Sequence, residues 1–214
     1  MKQVKFIGDI HAELYDYRIA INNELIPSIQ VGDFGYGFFS EYQESVLEDH
    51  FLSGDHRFIR GNHDDPARVK NSIGYIEDGT VENNMMFIGG AYSIDRQWRT
   101  AGVNYWPDEE CSIQDFEHFI EIYSIVKPDI MVTHDAPCKI ANRMFVEAGL
   151  THSSFKLRTL TGNALEVMFE IHQPKLWVFG HWHITKRENI EGTEFLCVGA
   201  GGDSVVVDLD EYSS

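Results

Sequence analysis

Short apolar runs lead directly into clusters of acidic, amide and histidine residues along much of this chain. Val4-Lys5-Phe6-Ile7 precedes Gly8-Asp9-Ile10-His11, Ser28-Ile29-Gln30-Val31 precedes Gly32-Asp33, and Arg57-Phe58-Ile59-Arg60 precedes Gly61-Asn62-His63-Asp64. Later, Ile130-Met131-Val132 precedes Thr133-His134-Asp135, and Leu176-Trp177-Val178-Phe179 precedes Gly180-His181-Trp182-His183. Short runs of this kind read as strands, so the polar chemistry sits at strand ends. Residues 14–25 and 41–51 read as helices between the first three strands. The resulting β-α-β-α-β order is the sign of a parallel sheet with covering helices.

Downstream, residues 65–71 predict a short helix and residues 73–84 short strands separated by turns. Met85-Met86-Phe87-Ile88 follows as a buried strand. Residues 95–110 have no clear period and carry Arg96, Trp98, Arg99, Tyr105 and Trp106, the profile of a functional or mobile loop. The clearest helix spans 112–126, where Ile113, Phe116, Phe119, Ile120 and Tyr123 share one face and Ser112 with Asp115 resembles a capping box. Residues 137–147 and 155–172 predict further helices. The strands at 185–191, 194–198 and 204–209 predict an antiparallel meander, and hence a second sheet. Residues 211–214 read as a loose tail.

The length of 214 residues suits one domain, 1–214, with a single sizeable core. A formal charge of −17, without a basic block, argues against nucleic acid as a partner, because neutralising phosphates supplies much of that affinity. Three widely spaced cysteines, Cys111, Cys138 and Cys197, form no C-x-x-C pair and suggest a reduced compartment. The N-terminus enters a strand without a signal-like apolar region, and no run is long enough to span a membrane. The expectation is a soluble cytoplasmic protein.

Open α/β sheets bind ligands beyond the carboxyl ends of their strands, so the clusters can share one site and supply candidate ligands for a pair of metal ions. Each cluster alone is weak; their joint occurrence in order is specific. The set resembles the calcineurin-like metallophosphoesterase family, with its D-x-H, G-D, G-N-H-[DE], H and G-H-x-H motifs, from Asp9 to His183. The resemblance implies a four-layer α/β/β/α sandwich of two mixed sheets flanked by helices. It also implies that Asp9, His11 and His183 hold one metal, that Asn62, His134 and His181 hold a second, and that Asp33 bridges them. Imidazole, carboxylate and amide ligands suit Mn, with Fe or Zn as alternatives, as divalent or trivalent ions. Such a pair makes hydroxide from a shared water and stabilises charge developing on a phosphate ester. By the same resemblance His63 is the general acid, and Asp64 orients its imidazole or braces the loop.

Two positions depart from the family pattern. Ala12 stands where glycine commonly follows D-x-H, a change expected to alter local packing. Gly32-Asp33-Phe34-Gly35-Tyr36-Gly37 lacks the carboxylate and arginine of the G-D-x-x-D-R-G motif, which makes the chain less similar to the protein Ser/Thr phosphatase branch. Arg96 and Arg99 are the candidates to bind substrate phosphate instead, while Arg60 reads as a structural ion-pair former. Tyr36, Trp98, Tyr105, Trp106 and Trp182 read as packing residues in preference to stacking platforms, and Cys138 as a small apolar residue. The expected substrate is a small phosphorylated molecule such as a nucleotide or cyclic nucleotide. Phosphoprotein phosphatase and nuclease or phosphodiesterase on nucleic acid are the alternatives, and a non-catalytic interaction module ranks last because the ligand set is intact.

Overall fold

The computed structural model describes residues 3–21, 26–53, 55–150 and 158–212. The expected helix residues 22–25 and 155–157, His152, and residues 213–214 of the expected tail lie outside them. The first sheet contains β1 (Gln3–Ile7), β2 (Ser28–Gln30) and β3 (His56–Phe58), which run parallel. The second contains β4 (Val81–Glu82), β5 (Met85–Ile88), β6 (Ile130–Thr133), β7 (Leu176–Phe179), β8 (Lys186–Ile190) and β9 (Thr193–Cys197), in the order β4-β5-β6-β7-β9-β8. A tenth strand, β10 (Ser204–Asp208), pairs antiparallel with β1.

Alternation within the strands explains the layers, because successive side chains point to opposite faces. Phe6, Phe87, Val132, Val178 and Leu196 meet in one apolar core between the two sheets. Their neighbours point outward on each side. Ile7 and Phe58 join Tyr17 of α1 (Leu14–Ala20) and Leu47 and Phe51 of α2 (Glu41–Ser53). Met86, Met131, Trp177 and Phe195 pack against Phe116 and Tyr123, together with Leu165 and Phe169. After α3 (Pro66–Val69), which continues the numbering on the first side, these belong to α4 (Ile113–Val126) and, beyond the single turn of α5 (Cys138–Ala141), to α6 (Leu160–Ile171). Both sheets are therefore apolar on both faces, and the architecture is the expected α/β/β/α sandwich.

Ser112 caps α4 with Asp115 in a reciprocal capping box, as the sequence predicts. Ile113 is 58% exposed, however, because at the first turn it precedes the stretch that lies on the sheet. The helix expected at 137–147 is α5 continued by a π-helical turn over Asn142–Val146. In residues 73–84 only β4 forms as a strand, with an isolated bridge between Phe58 and Tyr75. The expected meander is not formed. β8 and β9 make a hairpin, but β9 also pairs parallel with β7, and β10 crosses to the other sheet. The edge of β1 accepts β10, which registers Val207 opposite Val4 and places both in the inter-sheet core.

Candidate metal centre

The carboxyl ends of β1, β2, β3, β6 and β7 converge on one locus, where close backbone approach is required. Ile10 and His11 amides both donate to the Asp33 carbonyl, at 3.0 and 2.9 Å. Residues in this locus adopt left-handed backbone that L-amino acids rarely occupy: φ is 48° at His11, 57° at Asp33, 66° at His181 and 56° at His183. Such outliers persist only where surroundings over-determine them, and they cluster at functional sites. Ala12 has φ 67°. Its replacement of glycine therefore strains the backbone, a consequence beyond the local packing expected from sequence.

Asp33 is 1% exposed and lies between two donor groups. Asp9, His11, Asp33 and His183 place ligand atoms within 4.8 Å of one another, and so do Asp33, His134 and His181. His11 Nε2 and His183 Nε2 are 3.0 Å apart. Asn62 Oδ1 lies 3.1 Å from His134 Nε2. Asp9 and His134 are fully buried, whereas the His183 side chain is 53% and that of His11 32% exposed. The centre is thus closed below and open on the His11 and His183 side.

The donor set fits metal ions on two independent grounds. Asp9 Oδ2 is buried and accepts no well-directed hydrogen bond, although His183 Nε2 lies 3.1 Å away. His134 gives the second. Its Nδ1 lies 2.8 Å from the Val31 carbonyl, so that nitrogen must carry the proton and donate. Nε2 then faces Asn62 Oδ1 at 3.1 Å and Asp33 Oδ1 at 3.3 Å. A lone pair aimed at two oxygen acceptors calls for a positive charge between them, which a metal ion or a second proton supplies. Burial lowers the His134 pKa, but the Asp33 and Asp9 charges outweigh it and raise it to about 10. Burial likewise disfavours charge on Asp33, yet His134, His63 and His11 hold its carboxyl far below the usual range. Burial lowers His181, favouring the neutral imidazole that ligates metals.

Asn62 is aimed by a partner that sequence reasoning missed. Its Nδ2 donates to Ser93 Oγ at 2.9 Å, which fixes the amide so that Oδ1 points inward, and the Ser93 amide donates to Glu109 Oε1 at 2.9 Å. No periodicity or motif marks Ser93; only the contact identifies it.

His63 is half-buried in the wall of a cavity of about 330 Å³ that also includes Asp33, Asn62, Arg99, Trp182 and His183. Its amide donates to Asp33 Oδ1 at 2.7 Å, and its Nε2 stands 4.0 Å from Asp33 Oδ2. Asp64 makes no described hydrogen bond to that imidazole. Its carboxylate instead accepts from the Gly61, Phe34, Gly35 and Tyr36 amides at 2.7, 3.1, 2.6 and 2.9 Å. These bonds tie the Asp33 loop to the Asn62 loop, in line with the bracing alternative expected for Asp64. Burial and the nearby Asp33 charge push the Asp64 carboxyl up to about 6, against the amide bonds that favour its ionised form.

The two arginines separate. Arg99 lines the cavity, whereas Arg96 lies outside it with its guanidinium 4.2 Å above the Tyr92 ring. Arg96 opens the short 3₁₀ turn Arg96–Trp98, whereas Arg99 follows it in extended backbone at φ −107° and ψ 164°. Arg60 is a buried structural cation, bonded to Asp78 at 2.7 Å and to the Glu109 carbonyl at 2.8 Å. Tyr36 stacks on Phe58, Trp106 meets Phe38 edge-on, and Trp182 stacks on Phe145 while donating to Asp135. Trp98 is 83% exposed and lines a second cavity that His63, Asp95 and Arg99 also border. Cys138 is buried, and burial raises its thiol pKa, so it supplies no nucleophile.

Gly61 is required by contact: a Cβ there would stand 2.1 Å from Asp33 Oδ1 and 2.2 Å from the Asp33 amide nitrogen. Gly61→Ala is expected to displace Asp33, lowering stability by about 1–3 kcal/mol and reducing metal content. Thermal unfolding and elemental analysis would check both.

A family model described as calcineurin-like phosphoesterase matches residues 2–185. The chain belongs to the calcineurin-like phosphoesterase family and is a metal-dependent phosphoesterase. No curated protein matches it closely enough to be significant. Among solved structures, TT1561 of Thermus thermophilus superposes with a TM-score of 0.61 at 11% identity, covering 98% of this chain and 96% of its own. A putative 5′-nucleotidase from Staphylococcus aureus gives 0.56 at 14% identity, covering 99% of this chain. This chain spans 52% of that nucleotidase. The anchor protein GAP50 of Plasmodium gives 0.50 at 13% identity, covering 94% and 73% of the respective chains. At these identities the likeness is one of fold. Among the described residues, no helix is long and apolar enough to cross a membrane.

Proposed function

We propose that this chain hydrolyses phosphate esters of small molecules, such as a nucleotide or cyclic nucleotide, at a pair of metal ions shared through Asp33. Asp9, His11 and His183 hold one ion, and Asn62, His134 and His181 the other. The observation that carries this reading is the position of Asp33, whose carboxylate is common to both groups of donor atoms. Mn suits the mixed imidazole, carboxylate and amide set, with Fe or Zn as alternatives. When bound, such a pair supplies an activated water and offsets charge on the phosphate.

The chain's own groups do the rest. His63 lines the cavity with its Nε2 4.0 Å from Asp33 Oδ2, and its role is to give a proton to the leaving oxygen. Asp64 and Ser93 keep the Asp33, Asn62 and His63 backbones and side chains in register. The cavity volume of about 330 Å³ is that of a small-ligand site, and the net charge of −17 disfavours long polyanions. Hydrolysis of paired chromogenic mono- and diesters with Mn²⁺, with and without chelator, tests the reading. Metal-dependent turnover is expected, and turnover that survives exhaustive chelation would sink it.

A further inference from the structure

Residues 34–37, Phe-Gly-Tyr-Gly, offer no cation beside Asp33. Among the described residues lining the central cavity, Arg99 is the one lysine or arginine. Asp95, another lining residue, grips it along one edge: Arg99 Nε donates to Asp95 Oδ1 at 2.7 Å and Nη2 to Oδ2 at 2.8 Å. Nη1 donates to the Asn104 carbonyl at 3.1 Å. A guanidinium carries five N–H donors in a fixed fork, so one donor on Nη1 and one on Nη2 are left over.

Both lie at His63. Arg99 Nη1 is 2.9 Å from His63 Nδ1, and Nη2 is 3.2 Å from Nε2. The two ring nitrogens direct their in-plane bonds away from each other, so one planar group cannot follow both. A neutral imidazole also has a single acceptor nitrogen, so only one of the two contacts is a hydrogen bond. Arg99 is therefore held by Asp95 and Asn104 and bonds His63 through one donor, while its other donor on that side has no acceptor there.

We propose that Asp95 and Arg99 form a phosphate clamp in which the Arg99 Nη1 and Nη2 donors on the His63 side fork onto the terminal oxygens of a phosphate monoester, one of them exchanging His63 for substrate, with Asp95 as the positioning residue. This rests on the phosphoesterase reading above and assigns its substrate class. A monoester dianion presents three terminal oxygens and a second negative charge, whereas a diester presents two oxygens and one charge. A forked cation therefore contributes more to the monoester. Asp95 offsets part of the guanidinium charge as it aims it. The clamp thus recognises a single phosphate group without drawing in extended polyanions.

The test uses Mn²⁺-loaded wild type, Arg99→Ala, Arg99→Lys and Asp95→Ala, with metal content measured on each. Each is titrated calorimetrically with inorganic phosphate, and kcat/KM is measured on a chromogenic monoester and diester. Arg99→Ala is expected to weaken phosphate binding by about tenfold to a hundredfold at unchanged metal content and to lower the monoester-to-diester ratio of kcat/KM. Arg99→Lys should recover only part of the binding, because an ammonium cannot fork. Asp95→Ala should weaken phosphate binding in the same direction by a smaller factor. Phosphate affinity of Arg99→Ala within about twofold of wild type, or an unchanged ester ratio, would overturn the clamp. Asp95→Ala binding phosphate as tightly as wild type would overturn the positioning role. A wild type that turns over diesters well and monoesters poorly would overturn the substrate class alone, and one that neither retains metal nor hydrolyses either ester would overturn the underlying reading as well.

Discussion

Asp33→Asn is expected to lower kcat/KM by about a thousandfold or more and to reduce metal content from two ions per chain to one or fewer. Asp33 Oδ1 accepts the His63 amide at 2.7 Å and lies 3.3 Å from His134 Nε2, while Oδ2 lies 3.9 Å from His11 Nδ1 and 4.0 Å from His63 Nε2. Asparagine keeps the shape but has one oxygen for these directions. Its NH₂ group must then face either the His63 amide or the centre, and the negative charge shared by both donor groups is lost. Metal stabilisation of phosphoryl transfer supplies several kcal/mol, and each 1.4 kcal/mol is about tenfold in rate. Elemental analysis beside steady-state kinetics checks the result; activity within about tenfold of wild type at full metal content would remove Asp33 from between the ions.

Asp64→Asn is expected to act on stability first. Four backbone amides, those of Phe34, Gly35, Tyr36 and Gly61, donate to this fully buried carboxylate. An amide side chain retains one acceptor and turns an NH₂ group toward two of those donors. Hydrogen bonds to a charged group contribute about 1.5–3 kcal/mol each, and stranding buried donors costs about as much. Since bonds in one network are not additive, a total loss of about 3–5 kcal/mol is expected, lowering Tm by roughly 6–20 °C for a chain of this size. Metal content should fall with it. A variant with unchanged Tm and reduced kcat would return Asp64 to the chemistry and overturn the bracing role.

The order of strands and helices was legible because the cores are periodic, whereas the four-layer arrangement was implied by the family resemblance. The runs ending at Ile7, Ile88, Thr133 and Phe179 are apolar on both faces, which only a sheet covered on both sides accommodates. The late strands were misread for a matching reason. The strands at 194–198 and 204–209 have local patterns that fit a meander, but β9 pairs with β7 as well as with β8, and β10 pairs with β1 near the other end of the chain. Strand pairing depends on which edges remain open after the helices have covered the faces, and no local pattern encodes that. Ile113 failed similarly: helical periodicity identifies a face but not how far along the helix the sheet beneath it extends.

The candidate ligand residues were visible because metal chemistry restricts both residue type and position at strand ends. The chain order of Asp9, His11, Asp33, Asn62, His134, His181 and His183, with the family resemblance it carries, was enough to nominate them. Which groups stand behind them was decided in three dimensions. Ser93 aims Asn62 across 31 positions, Asp64 ties down a loop about 30 positions before it, and Arg99 reaches His63 while Arg96 turns to Tyr92. Sequence by itself determined the α/β order of strands and helices and nominated the candidate donor set, since burial on two faces and ligation each admit few residue types. The tertiary structure alone decided strand exchange between the sheets, the left-handed backbone at the ligands and the choice between the arginines, because each depends on contacts between segments that nothing local brings together.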